Sequence, residues 1–559
     1  MRKTLLFILL ALVVAGAAVT LVRSSSAGKL ESVRPVTDEV LLEPPPEGWL
    51  HHGRDYSNQR YVPLTQINRE TVGHLKVIWK HDTRILFSSG ARPESTPVVV
   101  DNMLIYTDVN QVLALDARNG NRLWRFSRKP GPAALCCSLV NRGVAVYGDK
   151  VFVGTIDGHV LALNRQDGTL AWDRVVAQSS QGYSFTMAPL VADGKVLIGT
   201  SGGEFGIRGF LEALDPGDGR RLWRFWIIPS PQEGGWWGKW SPTTTEGDSL
   251  PRDIAQEKRD SARYAEAWRH GGGGIYTTPA YDPKLKLLIF GTGNPSPLED
   301  VYPPGDNLYT SSVVAVDIST GKLRWFHQLI PHNIWDFDVA TPPVLFDQSR
   351  EGTTVPAVGQ AAKTGWVYIL DRRTGAPLLR SDPLMPLENI FPSPTPESLH
   401  VRSSPGTRGG ANWPPAAYSP QTGLLYVMAS YYPMAFIIKT EGKKKRGGTK
   451  PIAGMFKKLS SPRHFGTLSA IDVGTGKLAW QDKIQTSLMY GGVLTTAAGL
   501  VFLAEPTGYV DALDASTGKS LWRYRVKDSQ LGPPVSFEVD GEQRIAVTTP
   551  KGVVAFGLK

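Results

Sequence analysis

The chain has 559 residues, with 61 Lys and Arg against 51 Asp and Glu and a formal net charge of +10 at pH 7. Its two cysteines, Cys136 and Cys137, are adjacent, which excludes a disulfide framework that joins distant segments. The basic run at residues 442–446 comes without interleaved aromatic residues or a nucleic-acid-binding motif, so we expect no nucleic-acid partner.

The first predicted element is an N-terminal leader. Arg2 and Lys3 precede an uncharged run over residues 4–22, after which polar residues begin. This pattern predicts an export signal over residues 1–27, but the run is also just long enough to span a bilayer, so cleavage and anchoring both stay open. We expect residues 28–47 to be a linker and the rest to lie in the periplasm, with membrane contact only through an uncleaved leader.

A single strand, residues 74–81 with Trp79, comes next, and seven copies of one template follow it. Each copy has an apolar strand that ends in Asp, a glycine four residues later and a tryptophan eight residues after the Asp. Asn164 replaces the Asp in the second copy, and Leu379 replaces the Trp in the fifth. Apolar residues alternating around a Gly-bearing turn predict two antiparallel strands. The copies are residues 112–124, 160–172, 211–223, 313–325, 367–379, 468–480 and 510–522.

Each copy is preceded by another pair of short apolar segments, such as residues 96–100 and 103–107. Units of about 40 to 50 residues with four strands are typical of propeller blades. Residues 534–558 supply three more strands, and the unclaimed strand 74–81 completes an eighth blade. The sequence therefore predicts an all-β, eight-bladed β-propeller over residues 48–559. Its blades are W-shaped and four-stranded, tryptophans pack between them, and strands from both termini close the ring.

Two units carry long inserts, at about residues 230–274 and 431–466, which we expect to lie on one face of the disc. The second insert contains a basic run at 442–446 and again Lys457 and Lys458. This run fits an acidic partner or, more simply, a solvated loop.

The adjacent cysteines are chemically unusual. Consecutive Cα atoms lie ~3.8 Å apart, shorter than most disulfide spans, so a bond between Cys136 and Cys137 would strain the backbone and close no long loop. Strain without added stability indicates a site, whereas the alternative is a pair of buried, unpaired thiols.

Several fragments outside the template occur in chain order. They are residues 53–61 and 64–68, 94–97, Cys136-Cys137 with Arg142, Thr186, 199–209, 291–295, 304–308, 335–338, Lys363 and 409–413. Together they resemble the quinoprotein dehydrogenases, eight-bladed enzymes that hold pyrroloquinoline quinone (PQQ) and a metal on the propeller axis. The resemblance covers nearly everything from residue 48 onward.

The resemblance implies a set of cofactor-binding residues. In that family the adjacent cysteines form a disulfide ring against one face of the quinone. The implied PQQ-binding residues are Glu94, Cys136, Cys137, Arg142, Thr186, Gly202, Gly203, Tyr276, Lys363, Asn412 and Trp413. Tyr276 is a departure, because many relatives have a tryptophan there that stacks on the opposite face of the quinone. A tyrosine ring still stacks, with less area and a polar tip.

The implied metal ligands are Glu204, Asn294 and Asp336, with Asp338 as a fourth. Oxygen ligands of this kind suit Ca²⁺. Residues two apart in extended chain face the same way, so Asp338 can join Asp336; in some relatives this extra carboxylate accompanies a lanthanide, in others calcium. Asp336 is the expected general base for oxidation of an alcohol or a sugar.

The sequence lacks a Cys-x-x-Cys-His motif, so we expect electrons to pass to a separate c-type cytochrome or quinone. It also lacks Gly-x-Gly-x-x-Gly, which argues against a nicotinamide enzyme. The rival hypothesis is a non-catalytic exported propeller of the outer-membrane assembly type. That hypothesis explains the repeats but neither the paired cysteines nor the acids at the metal positions.

Overall fold

Each copy of the template folds as a β-hairpin. In the first copy, Ala114 pairs with Trp124 across the two strands. Asp116 begins the turn, because its carboxylate accepts the backbone N–H of Arg118 at 2.9 Å. Gly120 ends the turn with φ +76°, a conformation that glycine adopts without strain.

The structure, a computed structural model, describes residues 33–83, 92–133, 139–296, 303–350, 352–393, 401–436, 456–458, 463–486 and 488–558. The leader at 1–27, Cys136, Cys137 and the basic run at 442–446 lie outside these ranges. Among the described residues, no helix is both long and apolar enough to cross a membrane.

The described strands form eight blades of antiparallel strands, numbered here in chain order. Blade 1 consists of Val98–Val100, Met103–Asp108, Gln111–Asp116 and Arg122–Ser127, and blade 2 of Ala145–Tyr147, Lys150–Gly154, His159–Asn164 and Leu170–Val175. Blade 3 consists of Leu190–Ala192, Lys195–Gly199, Phe210–Leu214 and Arg221–Trp226, and blade 4 of Ala280–Asp282, Leu287–Gly291, Ser312–Asp317 and Leu323–Gln328. Blade 5 consists of Val344–Arg350, Thr353–Ala361, Val367–Asp371 and Pro377–Arg380, and blade 6 of Ala417–Ser419, Leu424–Tyr431, Phe465–Asp472 and Leu478–Ile484. Blade 7 consists of Gly492–Thr496, Leu500–Ala504, Tyr509–Asp514 and Ser520–Arg525.

Blade 8 closes the ring with strands from both ends of the chain. Its strands are Val535–Val539, Glu542–Thr549, Gly552–Gly557 and Lys76–Asp82. Lys76–Asp82 pairs antiparallel with Gly552–Gly557. The eight-bladed propeller and its closure by terminal strands are therefore confirmed, with the N-terminal strand shifted slightly from the predicted 74–81.

The template tryptophans pack between blades, as predicted. The Trp79 ring of blade 8 lies against Gly120 of blade 1, where an added Cβ would come within 2.6 Å of the ring. The Trp79 indole Nε1 also donates to the carbonyl of Ala117 at 3.1 Å. The same glycine contact recurs at the next blade boundaries, and at the exceptional copy Leu379 replaces the ring against Gly476. The template thus specifies how one blade docks on the next.

An N-terminal segment crosses the propeller axis. Its backbone bonds join Trp49 to Val99, Tyr56 to Tyr281, Ser57 to Leu345, Gln59 to Tyr418 and Arg60 to Thr495. These partners lie on the innermost strands of blades 1, 4, 5, 6 and 7. The Arg60 side chain is fully buried and donates to the carbonyls of Val493 and His52, both at 2.7 Å. The segment therefore ties several blades together at the centre.

Three excursions leave the blades. The one between blades 3 and 4 holds the helix Ile254–Asp260 and three short 3₁₀ turns, Pro231–Glu233, Ser261–Tyr264 and Ala267–His270. The second, within blade 6, contributes Met434–Phe436 and Phe456–Lys458. The third, between blades 5 and 6, was not predicted; its strand Val401–Ser403 pairs with Met434–Phe436 in a small three-stranded sheet.

The remaining helical pieces are Asp38–Leu42, Val72–His74, Ser179–Gln181 and Gly203–Phe205. A further short strand, Tyr61–Val62, runs parallel to Gly492–Thr496.

Candidate active site

The predicted site residues occupy two kinds of loop. One kind enters the first strand of a blade, and the other connects the second strand to the third. In an antiparallel blade these loops lie at the same end of the sheet. The first kind carries Glu94, Arg142, Thr186, Tyr276, Asp336, Asp338, Asn412 and Trp413, and the second carries Gly202, Gly203, Glu204, Asn294 and Lys363. One face of the propeller thus collects all of the predicted residues that the structure describes.

Arg142 is the centre of a buried polar group. Its guanidinium lies 2.7 Å from the carboxylate of Glu94. It also donates to the Thr186 hydroxyl at 2.9 Å and to the carbonyl of Tyr276 at 2.8 Å. Burial raises the pKa of Glu94, and Arg142 opposes this rise because it favours the ionised carboxylate. Arg142 therefore links the loops that enter blades 1 to 4.

Aromatic rings surround the same guanidinium. The Arg142 guanidinium carbon lies 5.5 Å from the ring centroid of Tyr276 and 5.4 Å from that of Trp413. Trp413 stacks on Tyr490 with centroids 5.8 Å apart, and Arg92 lies over Tyr490 at 5.2 Å. Sequence reasoning missed Tyr490 and Arg92. The sequence signal for Tyr490 was its position, because it lies in the loop that enters the first strand of blade 7, Gly492–Thr496.

An acidic group lies on the side of blades 4 and 5. The Lys363 ammonium pairs with Oδ2 of Asp338 and lies 3.6 Å from Oδ2 of Asp336. It also donates to the main-chain oxygen of Asp336 at 3.1 Å. The backbone N–H of Asn294 donates to Oδ1 of Asp338 at 2.9 Å. Asp336 itself has φ +60°, a strained conformation for a residue with a side chain and one that often marks functional sites.

The acidic group contains more negative than positive charge. Burial raises the pKa of Glu204 to about 7, and the charges of Asp338 and Asp336 add to the rise. Burial also raises the pKa of Asp336 to about 6, against the opposing effect of Lys363. Burial lowers the pKa of Lys363, but the carboxylates outweigh it and the net change is upward. Three carboxylates, buried at Asp338 and half-buried at Glu204 and Asp336, thus share one ammonium, an arrangement that a cation would relieve.

The donor set fits a cation that also receives ligands from a bound molecule. Within the described ranges, no three His, Cys, Asp or Glu side chains converge as a complete metal site. The Asn294 amide nitrogen donates to the carbonyl of Pro295 at 3.1 Å, which turns the amide oxygen toward other partners. Carboxylate and amide oxygens suit hard cations such as Ca²⁺.

The remaining predicted residues differ in what surrounds them. A Cβ at Gly203 would make ordinary van der Waals contacts, the nearest at 3.6 Å, so packing within the protein does not require a glycine there. A Cβ at Gly202 would lie 2.1 Å from the carbonyl of Gly182, so packing alone explains that glycine. The Asn412 side chain accepts the N–H of Trp413 at 2.8 Å and so shapes its own loop. Cys136 and Cys137 lie outside the described residues, and their pairing stays a prediction.

Thr407 is a site residue that the sequence did not reveal. Its hydroxyl donates to Oδ2 of Asp336. The two residues are 71 positions apart, and Thr407 belongs to the unpredicted third excursion. No motif in the sequence marks it.

Comparison with known proteins agrees with this geometry. The PQQ family model matches residues 49–382 and 384–545 of the chain. This model is described as the β-propeller domain of glucose, ethanol and alcohol dehydrogenases. The quinoprotein alcohol dehydrogenase PedH of Pseudomonas putida is 33% identical, with 92% of this chain and 89% of that protein covered. The 1-butanol dehydrogenase (quinone) of Thauera butanivorans is 32% identical, with 90% and 87% covered.

Solved structures agree as well. The quinohemoprotein alcohol dehydrogenase ADHIIG of Pseudomonas putida HK5 superposes with a TM-score of 0.80 at 29% identity, over 94% of this chain and 82% of that one. A europium-containing methanol dehydrogenase gives a TM-score of 0.76 at 28% identity, over 92% of both chains. Fold, residue matches and coverage of almost the whole chain converge, and they favour an enzyme over the scaffold hypothesis. The chain belongs to the PQQ-dependent alcohol dehydrogenase family.

Proposed function

We propose that this protein is an exported dehydrogenase that oxidises an alcohol to the aldehyde, with Asp336 as the general base. The observation that carries the proposal is the position of the Asp336 carboxylate. It is half-buried, with Oδ2 3.6 Å from the Lys363 ammonium, and its charge adds to the effect of burial in raising the pKa of the Tyr276 hydroxyl. A pKa of about 6 leaves this carboxylate mostly ionised at neutral pH and able to accept a proton.

Each residue of the proposed site has a role that follows from its chemistry. Bound PQQ would supply the acceptor for the hydride equivalent from the alcohol carbon, and a bound cation would supply Lewis acidity. Asp336 accepts the hydroxyl proton of the alcohol. Lys363 and Arg142 would provide fixed positive charge to a bound quinone as it becomes electron-rich. The Tyr276 and Trp413 rings would hold the planar cofactor and exclude water.

We assign the cation as calcium, with oxygens of Glu204, Asn294 and Asp336 as ligands. Asp338 supports this choice over a lanthanide. One of its oxygens pairs with Lys363 and the other accepts the Asn294 N–H. Both oxygens of this carboxylate already have a partner, so binding a trivalent ion would require Asp338 to share or give up one of these contacts.

We place the enzyme in the periplasm because of the leader, and we assign its electrons to a separate cytochrome or quinone because the sequence lacks a c-type haem motif. The alcohol relatives favour an alcohol over a sugar as substrate.

The first experiment is calorimetric titration of PQQ into metal-free protein, with and without calcium. Tight, calcium-dependent binding supports the proposal, whereas no binding with either calcium or lanthanum refutes it. The second experiment is Asp336→Asn. We expect PQQ affinity to be kept and turnover with an artificial electron acceptor to fall by about 10² to 10⁴-fold, the usual contribution of a general base. Near-normal turnover would remove Asp336 from its role.

A further inference from the structure

The two oxygens of the Asp336 carboxylate have different surroundings. Oδ2 accepts the hydroxyl of Thr407 and lies 3.6 Å from the Lys363 ammonium. No hydrogen bond from the described part of the chain reaches Oδ1. The carboxylate plane is therefore held through one oxygen, and the other oxygen has no hydrogen-bond donor in the described part of the chain.

We propose that Thr407 is a positioning residue for the alcohol oxidation, and that it orients Asp336 so that Oδ1 accepts the substrate proton. This inference rests on the proposed role of Asp336 as general base. A carboxylate rotates about its terminal torsion with little restraint, because that torsion is broad and roughly two-fold. A hydroxyl donated to one oxygen removes this freedom, and well-aligned reacting groups are a large part of enzymatic rate enhancement.

The loop that carries Thr407 is fixed at both ends. At its start, the backbone of Ser404 exchanges two hydrogen bonds with Glu388, at 2.7 and 3.1 Å. At its end, Gly410 and Ser430 exchange two bonds, both at 3.0 Å. A loop held this firmly can set the position of a hydroxyl.

The inner side of the loop is also closely packed. Gly406 has φ +68°, and a Cβ there would lie 2.9 Å from both the Met434 side chain and the carbonyl of Tyr432. Met434 belongs to the small sheet formed by the second and third excursions. The two excursions thus hold Thr407 against the catalytic loop of blade 5, which gives them a role in catalysis beyond shaping the entrance.

The test compares Thr407→Val with Thr407→Ser in protein reconstituted with PQQ and calcium. Valine keeps the shape and removes the donor, so we expect kcat to fall about 10- to 100-fold, the effect of losing a hydrogen bond to a charged group. KM and PQQ affinity should stay within about twofold, because Thr407 acts through Asp336 and not on substrate or cofactor binding. Serine keeps the hydroxyl and should restore most of kcat.

Thr364→Val is the matched control. Thr364 is a buried hydroxyl next to Lys363, whereas Thr407 is half-buried, and the partner of Thr364 is the Tyr368 hydroxyl at 3.0 Å. We expect its kcat to match that of the wild-type protein.

Three results would overturn the inference. They are a normal kcat in Thr407→Val, equal losses in the valine and serine variants, and a loss of PQQ affinity large enough to explain the lost turnover. Asp336→Asn separates this inference from the proposed function. If Asp336→Asn is inactive while Thr407→Val is normal, only the role of Thr407 fails; if Asp336→Asn stays active, both fail.

Discussion

The guanidinium of Arg142 and the carboxylate of Glu94 form a buried ion pair with 2.7 Å between the charged atoms. Both side chains are almost inaccessible, at 7% and 4% exposure. The pair joins the loops that enter blades 1 and 2, and through Tyr276 it reaches blade 4. The ion pair therefore connects the loops of three blades and also forms part of the proposed cofactor pocket.

Removing one partner of this pair should cost more than removing both charges. Arg142→Met leaves Glu94 buried without its cation, and we expect a loss of about 3 to 5 kcal/mol in the free energy of unfolding at neutral pH. Adding Glu94→Gln should recover part of that loss, because no buried charge remains unpaired. Urea unfolding of the metal-free proteins measures both effects. A double variant no more stable than Arg142→Met would contradict this electrostatic explanation.

Calcium affinity should depend on pH. The pKa of Glu204 is raised to about 7 and that of Asp336 to about 6, so both carboxylates take up protons as the pH falls through this range. Protons then compete with the cation for the same oxygens. In protein saturated with PQQ, we expect calcium affinity to fall at least about tenfold between about pH 8 and about pH 5.5.

Calorimetric titration of calcium at the two pH values measures this change. Glu204→Gln removes one of the competing protons, so its affinity should depend less steeply on pH. An affinity that stays constant over the range would show that these carboxylates do not bind the cation.

The choice of metal follows from the partners of Asp338. Because Lys363 and the Asn294 N–H engage its two oxygens, we expect metal-free protein reconstituted with PQQ and calcium to turn over faster than the same protein with lanthanum. Parallel reconstitution with the two ions, assayed with an artificial electron acceptor, measures the preference. Equal or higher activity with lanthanum would overturn the assignment of calcium.

The contact between neighbouring blades can be tested with a pair of glycines. Gly120 and Gly541 have nearly the same backbone conformation, with φ +76° and +78°. A Cβ at Gly120 would meet Trp79 at 2.6 Å, whereas a Cβ at Gly541 would meet no atom within 4 Å. Gly541→Ala should cost about 1 to 2 kcal/mol, the strain of a left-handed alanine. Gly120→Ala should cost about 1 to 3 kcal/mol more because of overpacking.

Thermal or urea unfolding of the two alanine variants gives this difference directly. Equal destabilisation would mean that Trp79 moves away freely and that the ring does not fix the blade contact.

Much of the fold was readable from local sequence pattern. The spacing of Asp116, Gly120 and Trp124 is a property of one hairpin, so its repetition could be counted without knowing the structure. The shortage of one strand after the seventh copy indicated that strand 74–81 closes the ring, and blade 8 confirms it. The third excursion was missed because its only strand in the described ranges, Val401–Ser403, has three residues and pairs with a segment about 30 residues away.

The candidate site, like the fold, has one part that the sequence determined and another that it did not. The sequence by itself determined which acids, amides and cations the loops carry, because each belongs to a short motif beside a strand. Only the tertiary structure decided that Lys363 pairs with Asp338, that Tyr490 stacks on Trp413 and that Thr407 reaches Asp336. The physical reason is ring closure: it brings loops from separate blades to one end of the axis, and which side chains touch there depends on packing that no local pattern records.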